Sequence, residues 1–251
     1  MKHDDYSLDI CVAVDNHGSN KLDSSGYGLL VKRMVNDLII IGVDEVGRGC
    51  VYGPVVCVAA ANLTGWHLAG IRDSKTVKNE EERRSLANEI RHAMVWSVAS
   101  ASADTIDRFG IQRCVVAAGM KAAKTLVGAI WKKYPGVRCK IVFDGRDHES
   151  KMIDTMIEVV SIEKADATVF EVSAASILAK VIRDNWVHDQ VKANPPLARY
   201  DLDNCKGYGS VKHAEALRKH GLTIHHRKKF CETLLTPKDQ KRKRNVNPAA
   251  A

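Results

Sequence analysis

The sequence lacks the features that mark secreted, membrane-spanning and zinc-binding proteins. Its seven cysteines stand singly along 251 residues, with no Cys-x-x-Cys pair, which argues against a structural zinc site and against a disulfide framework. No apolar run approaches the roughly 20 residues that a membrane span requires, and the N-terminus has no apolar signal core. We therefore expect a cytoplasmic protein with no membrane partner.

Acidic residues are scarce only toward the C-terminus. From Lys206 onward the chain has 12 lysines and arginines against three acidic residues, whereas the part before it has 26 basic and 27 acidic residues. A nearly neutral body with a basic end is typical of nucleic-acid binding proteins. Basic ends are also often simply solvated, so the charge favours a nucleic-acid partner without establishing one.

The most informative stretch is an apolar segment that ends in two carboxylates. Residues 39–43 are mostly β-branched, as in a buried strand, and Asp44 and Glu45 follow directly. Carboxylates at the end of a buried strand are costly unless a cation meets them. The glycines that come next, Gly47 and Gly49, let a backbone approach a ligand closely. The stretch predicts a divalent-metal site beside a phosphate or sugar, and the simpler alternative is a solvated turn.

Hydrophobic periodicity predicts an α/β protein. Apolar, β-branched runs bounded by turn residues predict five strands, at residues 39–43, 54–61, 95–99, 138–143 and 158–162. Helical spacing predicts one helix that opens at Asn79-Glu80, one across residues 104–131 with an interruption at Gly110, and one that starts at Ser173 as its N-cap. This order predicts a mixed five-stranded sheet with helices on both faces.

Two further aspartates follow predicted strands. Asp144 ends the fourth strand and Asp166 comes after the fifth, and ligands of open α/β sheets gather at the carboxyl ends of the strands. If those ends lie side by side, both aspartates converge with Asp44 and Glu45, and divalent cations must neutralise the four charges. Ligation by oxygen alone suits Mg²⁺ or Mn²⁺.

Two other aspartates compete with Asp166 for the fourth ligand position. They are Asp147 and Asp184. Asp184 falls well inside the predicted third helix, where we expect it to form a structural ion pair.

Several motifs, in this order along the chain, resemble those of the ribonuclease HII family. They are Asp-Glu-Val-Gly-Arg-Gly at 44–49, Asp-Ser-Lys at 73–75, Phe-Asp-Gly at 143–145, Lys-Ala-Asp at 164–166, the run from Ser173 to Asp184, and Lys-Gly-Tyr-Gly-Ser at 206–210 followed by His213.

The resemblance implies an RNase H-like fold with a small helical C-terminal portion, and an endonuclease that cuts the RNA strand of RNA–DNA hybrids and duplex DNA containing single ribonucleotides. It implies that metal-activated water attacks, leaving a 5′-phosphate and a 3′-hydroxyl. By the resemblance, the metal-binding carboxylates are Asp44, Glu45, Asp144 and Asp166. The segment Gly47-Arg48-Gly49 reads the 2′-hydroxyl, Tyr208 packs on the sugar, and Ser74 and Lys75 contact the nucleic-acid backbone.

The resemblance also suggests how the chain is divided. We predict an N-terminal extension at 1–33 that is flexible, a catalytic domain at 34–193, a helical substrate-binding portion at 194–236 and a disordered basic tail at 237–251, in a monomer. The chain departs from the usual pattern at Cys50, where the family usually has proline, and at residues 76 and 77, which replace a lysine and a leucine.

Some residues have simpler interpretations. His213 is expected to be a capping or surface histidine, and residues 225–229 (His-His-Arg-Lys-Lys) a basic surface that faces phosphates. Two other functions stay open on the sequence. One is a DNA-processing nuclease or integrase on the same fold, and the other is a nucleic-acid-binding module whose acidic cluster is vestigial.

Overall fold

The computed structural model describes residues 10–15, 38–65, 79–146 and 151–236. The strands are β1 (Ile10–Asp15), β2 (Ile39–Val46), β3 (Val55–Ala61), β4 (Val95–Ala101), β5 (Cys139–Asp144), β6 (Lys151–Asp154) and β7 (Ile157–Ile162). The helices are α1 (Glu80–Ala93), α2 (Ala103–Phe109), α3 (Ile111–Lys133), α4 (Phe170–Ala193), α5 (Leu202–Cys205), α6 (Val211–His220) and α7 (Lys228–Leu235), with 3₁₀ turns at Ala165–Ala167 and Pro195–Tyr200.

The strands form one mixed sheet in the order β1-β4-β3-β2-β5-β7-β6. Strands β2, β5 and β7 run parallel to one another, and the other neighbours pair antiparallel. The mixed sheet with flanking helices is confirmed, and all five predicted strands are present. The number of strands was wrong, because β1 and β6 extend the sheet to seven. Strand β6 has only two apolar residues, whereas β1 contains the apolar run Ile-Cys-Val-Ala-Val at residues 10–14, which the prediction included in the N-terminal extension.

Strand β1 lies within the predicted N-terminal extension. It pairs with β4 from Ile10 opposite Ala101 to Asp15 opposite Trp96. The sheet therefore begins before residue 34, where the catalytic domain was predicted to start. The rest of that extension and the predicted tail at 237–251 lie outside the described residues, as do Ser74, Lys75 and Asp147.

The core consists of two apolar layers, one on each face of the sheet. Strand β3 is buried along its whole length. Val56, Val58 and Ala60 pack against α1 and α4, whereas Cys57 and Ala59 face α3 on the other side. By length and composition alone α3 would also suit a membrane span, the one such helix in the described ranges. Its apolar face packs on the sheet, as in a soluble protein.

The ends of the helices follow local signals in the sequence, with one exception. Asn79 caps α1 by accepting a hydrogen bond from the Glu81 amide at 2.9 Å. A glycine with positive φ, Gly110, separates α2 from α3, as predicted. The prediction that Ser173 caps the long helix was wrong, because α4 already starts at Phe170 and Ser173 is buried inside its first turns.

The early start of α4 brings it into backbone contact with β2. A Cβ atom at Gly42 would lie 2.2 Å from the carbonyl carbon of Glu171 and the amide nitrogen of Val172. No other residue fits at position 42 without separating the helix from the strand. This close approach fixes the first turns of α4 over the end of β2, where Asp44 lies.

Candidate active site

The register of the sheet places two of the predicted carboxylates side by side. Strands β2 and β5 are parallel, with Val43 opposite Phe143, so Asp44 and Asp144 follow as neighbours at the same edge. Asp44 projects from the same face of the sheet as Gly42, toward α4, because side chains alternate along a strand. The Ser176 hydroxyl of α4 hydrogen-bonds to the Asp44 carboxylate.

Asp44 is a buried carboxylate without a cationic neighbour among the groups that shift its pKa. Its pKa is raised to about 8, first by burial, and then by the negative charges of Glu45 and Asp144. Hydrogen bonds from the Ser176 hydroxyl and from the Glu45 amide, which lies 2.8 Å from Asp44 Oδ1, oppose the rise without cancelling it. A bound cation would stabilise the charged carboxylate and so lower the pKa of Asp44 again.

The third carboxylate reaches the site through a 3₁₀ turn. The amide of Ala165 donates a hydrogen bond to Asp144 Oδ1 at 2.7 Å, which fastens the turn Ala165–Ala167 against the end of β5. Lys164 precedes this turn in the left-handed conformation, with φ 55°. Asp166 is the next residue in this turn and is only 3% exposed.

Glu45 projects to the opposite face from Asp44 and forms an ion pair there. Arg48 Nη1 lies 3.6 Å from Glu45 Oε1, and Arg48 Nη2 donates a hydrogen bond to the side-chain oxygen of Gln112 at the start of α3. The Arg48 side chain is 40% exposed and that of Glu45 22%. The sequence did not mark Gln112, because one glutamine at a helix start carries no signal of its own.

Three of the four carboxylates line one pocket. Its lining consists of Val43, Asp44, Glu45, Cys57, Val115, Gly119, Phe143 and Asp144. In the described part of the chain, no three carboxylate, imidazole or thiol side chains stand close enough together to hold one ion as they are. Asp44 and Asp144 are thus neighbours in register and line this pocket with Glu45, and the convergence of all four carboxylates stays a prediction. Asp184 instead pairs with Lys180 at 3.0 Å, which confirms the predicted ion pair.

The residues present fit a hard divalent cation. The donors at this edge are carboxylate oxygens, which Mg²⁺ and Mn²⁺ prefer. Burial raises the pKa of Asp44 to about 8, and a divalent cation bound beside it would stabilise the charged form of this carboxyl. Among the described residues that line the pocket, the buried thiol of Cys57 on the α3 face is the one side chain that would suit a softer metal.

A buried arginine holds the loop after β2 by hydrogen bonds to its backbone. Arg183 of α4 is fully buried and donates hydrogen bonds to three carbonyls, those of Tyr52 at 2.7 Å, Pro54 at 3.1 Å and Lys206 at 2.7 Å. A Cβ atom at Gly47, where φ is +89°, would lie 2.2 Å from Arg183 Nε. The first glycine of the Gly-Arg-Gly segment is therefore required both by its φ and by this guanidinium.

The same arginine ties this loop to the turn that carries Tyr208. Gly207, in the positive-φ region at 81°, accepts hydrogen bonds from the amides of Val51 at 2.9 Å and Tyr52 at 3.2 Å. Tyr208 follows with 43% of its surface exposed, and Lys180 Nζ lies 5.8 Å from the centre of its ring. The exposed Tyr208 thus follows a turn that is bonded to the loop after β2, although the two are about 160 residues apart in sequence.

A second buried arginine supports the loop from its other side. Arg227 donates to the carbonyls of Arg48 at 3.1 Å and Gly53 at 3.0 Å. Burial lowers its pKa to about 10. The segment 225–229 was predicted to be a basic surface, and this was wrong for Arg227 and also for His226, which are both buried. Sequence gives no way to distinguish a buried arginine from a solvated one in a basic run.

His213 is neither a surface nor a simple capping histidine. It is fully buried, with Nδ1 2.9 Å from the Tyr208 carbonyl oxygen and Nε2 3.1 Å from His226 Nε2. Burial lowers the pKa of His213, and it lowers that of His226 to about 3. The pair is a neutral core contact under the Tyr208 turn.

Comparison with known proteins agrees with this arrangement. The family model of ribonuclease HII matches residues 41–233. A ribonuclease HII from Herpetosiphon aurantiacus is 39% identical over 198 residues, which cover 76% of this chain and 88% of that protein.

Two solved structures share the fold. The ribonuclease H2 from Pyrococcus horikoshii OT3 has a TM-score of 0.56 at 23% identity and covers 82% of this chain and 99% of its own. Bst-RNase HIII in complex with Mn²⁺ has a TM-score of 0.56 at 22% identity, with 83% and 73% coverage. At these identities the likeness shows the fold alone, and that fold is RNase H-like, as predicted.

The family match spans both the acidic edge and the Tyr208 turn. It includes β2 with the Asp-Glu pair, the two further aspartates, and the helices α4 to α7 that carry Arg183 and Arg227. The chain belongs to the ribonuclease HII family, and it is a nuclease with ribonuclease H activity on RNA–DNA hybrids.

Proposed function

We propose that this protein cuts the RNA strand of RNA–DNA hybrids and also incises duplex DNA on the 5′ side of single embedded ribonucleotides, leaving 5′-phosphate and 3′-hydroxyl ends. The observation that carries the proposal is the parallel register of β2 and β5, which makes Asp44 and Asp144 neighbours at one edge of the sheet.

We assign the metal ligands to Asp44, Glu45, Asp144 and Asp166, and the metal to Mg²⁺ or Mn²⁺. Two divalent ions, when bound, supply Lewis acidity that activates a water and stabilises a leaving oxygen. The chain's part is to orient the carboxylates, and the bound ions keep Asp44 in its charged form. The Ala165 amide fixes Asp144, and the Ser176 hydroxyl together with the Glu45 amide fixes Asp44. Glu45 must exchange its contact with Arg48 for a ligand position.

We assign the selection of RNA to the backbone of Gly47-Arg48-Gly49 and to the ring of Tyr208. Hydrogen bonds from the amides of residues 51 and 52 to Gly207 connect the two segments, and the 2′-hydroxyl is the group by which a protein distinguishes RNA from DNA locally. Arg48, Ser74 and Lys75 are assigned to the phosphate backbone. The exposed lysines and arginine of α6 add sequence-independent attraction to phosphates. We further propose that the protein works as a monomer in the cytoplasm.

One cleavage assay tests the proposal. Duplex DNA with one ribonucleotide, an all-DNA duplex of the same sequence and a long RNA–DNA hybrid are incubated with Mg²⁺, Mn²⁺ or EDTA. We expect one cut 5′ of the ribonucleotide, repeated cuts in the hybrid, no cut in DNA and no activity with EDTA. Asp44→Asn should abolish cutting, because it removes a proposed ligand. Asp184→Asn is the matched control, since this buried aspartate is already paired with Lys180 and is assigned no ligand role.

The same experiment separates the alternatives. Equal cutting of the all-DNA duplex would favour a DNA-processing nuclease on the same fold. Binding of ribonucleotide-containing duplex without any cut, with either metal, would favour a binding module with a vestigial acidic cluster. A cut on the 3′ side of the ribonucleotide would contradict the proposed end chemistry.

A further inference from the structure

Two buried histidines connect the turn that carries Tyr208 to the loop after β2. The backbone of His226 pairs with Tyr52 in an antiparallel bridge, in the loop that follows Gly47-Arg48-Gly49. Nε2 of His226 lies 3.1 Å from Nε2 of His213, whose Nδ1 lies 2.9 Å from the Tyr208 carbonyl oxygen. His213 is 0% exposed and His226 2%. The two segments to which we assign the selection of RNA are therefore joined through this histidine pair.

The hydrogen-bond partners determine which nitrogen of each imidazole carries the proton. The backbone amide of Thr223 donates to His226 Nδ1 at 2.8 Å, so this nitrogen must be an acceptor. A neutral His226 then has its proton on Nε2 and donates it to Nε2 of His213. His213 in turn has its proton on Nδ1 and donates it to the Tyr208 carbonyl, with the Cys205 sulfur as a more distant neighbour at 3.5 Å. The result is one directed hydrogen-bond chain from the Thr223 amide to the Tyr208 carbonyl.

We propose that His213 and His226 are positioning residues for recognition of the ribose, because their fixed tautomers hold the backbone of Tyr208 against the loop after β2. The inference rests on the proposed function, in which Tyr208 and Gly47-Arg48-Gly49 meet the nucleotide that has the 2′-hydroxyl. In this role the histidines act through Tyr208 and do not touch the substrate.

The backbone conformation of the turn supports this role. Lys206 has φ 48° and Gly207 has φ 81°, so two successive residues before Tyr208 lie in the positive-φ region, which is costly for the lysine. Such a backbone persists where the surrounding contacts fix it, and it is typical of functional sites. The bond from His213 Nδ1 to the Tyr208 carbonyl is one of these contacts.

Both imidazoles have to be neutral for this hydrogen-bond chain to exist. Burial lowers the pKa of His213 and outweighs the opposing effects of the Tyr208 carbonyl and of the Asp201 charge. Burial also lowers the pKa of His226 to about 3. A second proton on His213 would bring two N–H groups face to face, and a second proton on His226 would remove the acceptor of the Thr223 amide.

The tautomers are tested on the native protein by long-range ¹H–¹⁵N NMR spectra of a sample labelled at histidine, with the imidazoles assigned by through-bond correlations to the backbone. The ¹⁵N chemical shift distinguishes a nitrogen that carries a proton from one that does not. At pH 7 we expect the proton on Nδ1 in His213 and on Nε2 in His226. A proton on Nε2 of His213, or a charged imidazole at either position, would overturn the inference.

Two substitutions at position 213 separate recognition from stability. Asparagine places an amide donor where His213 has Nδ1, so His213→Asn keeps the bond to the Tyr208 carbonyl but leaves the buried Nε2–H of His226 unpaired. Glutamine places an acceptor where His213 has Nε2, so His213→Gln keeps the partner of His226 but removes the donor to Tyr208. That carbonyl still accepts the Ser210 amide at 2.9 Å. We therefore expect His213→Asn to be the less stable of the two in urea.

The readout of recognition is an affinity ratio measured without cleavage. Fluorescence anisotropy in EDTA gives the dissociation constants of duplex DNA with one ribonucleotide and of the all-DNA duplex. We expect native protein and His213→Asn to prefer the ribonucleotide, and His213→Gln to lose this preference about threefold to tenfold, the worth of one hydrogen bond. His188→Gln is the matched control, because His188 is an exposed histidine of α4 whose Nδ1 lies 3.2 Å from Asp203.

Each outcome decides the matter. The inference is overturned if the preference follows stability, with the larger loss in His213→Asn, because the pair is then a packing contact only. It is also overturned if His213→Gln shifts the ratio no more than His188→Gln does. If a variant at position 213 does not fold, the tautomers of the native protein decide. Failure of the proposed function looks different, because native protein would then neither cut the ribonucleotide-containing duplex with Mg²⁺ or Mn²⁺ nor bind it better than all-DNA duplex.

Discussion

Replacing Asp44 by asparagine should abolish activity and yet stabilise the metal-free protein. In the folded chain the pKa of Asp44 is about 8, against an ordinary value of 3.8. The folded protein therefore holds this proton more tightly than the unfolded chain does, and its stability falls as pH rises from about 4 to 8. Each pH unit above the unfolded pKa lowers the free energy of unfolding by about 1.4 kcal/mol. At pH 7 this one carboxyl therefore lowers it by an amount on the order of 4 kcal/mol.

Asparagine has nearly the same shape and carries no charge. It can still accept hydrogen bonds from the Glu45 amide and the Ser176 hydroxyl with its side-chain oxygen. Urea denaturation in EDTA at pH 5, 7 and 8 measures the effect. We expect Asp44→Asn to be more stable than native protein by several kcal/mol at pH 7 and 8, and the difference to shrink toward pH 5.

The comparison with Asp184→Asn shows whether replacing any buried aspartate by asparagine stabilises the protein. Asp184 is also buried, but Lys180 pairs with it at 3.0 Å, so its replacement should lower the free energy of unfolding by roughly 1–3 kcal/mol. The reasoning would be refuted if Asp44→Asn were no more stable than native protein at pH 8, or if its stability followed pH just as the native protein's does. Saturating Mg²⁺ should stabilise the native protein and have little effect on Asp44→Asn.

Three further predictions concern the supports of the site. The pKa of His226 is lowered to about 3 by burial, so this residue contributes stability above pH 6.5 that is lost as pH falls toward 3. The Asp44→Asn variant lacks the opposite pH dependence that Asp44 contributes. Its free energy of unfolding, measured by urea denaturation, should fall by about 2 kcal/mol between pH 7 and pH 5. If it does not fall, the neutral core contact is contradicted. Asp107 accepts hydrogen bonds from the first two amides of α7 at 2.7 and 3.2 Å. Asp107→Ala should cost about 1 kcal/mol, measured by thermal unfolding, and Asp107→Asn less. Gly47→Ala should prevent stable folding or cost several kcal/mol, because φ is +89° and the new Cβ would lie 2.2 Å from Arg183 Nε. Gly49→Ala is its control for stability, since a Cβ there meets nothing within 4 Å, and equal melting temperatures for the two variants would contradict the packing argument.

The local elements could be predicted from the sequence because their signals are local. A run of β-branched residues before Asp44, the cap at Asn79 and the break at Gly110 each act over a few residues, and the structure has β2, α1 and the α2–α3 junction in those places. The misplaced start of α4 illustrates the limit. Ser173 is a good N-cap in isolation, but the contact of α4 with Gly42 stabilises an additional turn that local preference does not favour.

The sequence by itself predicted which residues carry the chemistry. The order of its motifs identified the family, and the carboxylates at the ends of predicted strands indicated an oxygen-only metal site. Tertiary structure alone decided how these residues meet. The register between β2 and β5 pairs residues about 100 apart, and the buried guanidinium of Arg183 joins the carbonyl of Tyr52, 131 residues away, to that of Lys206, 23 residues away. Such contacts leave no periodic trace in the chain, because burial and partners are set by packing and not by neighbours in sequence.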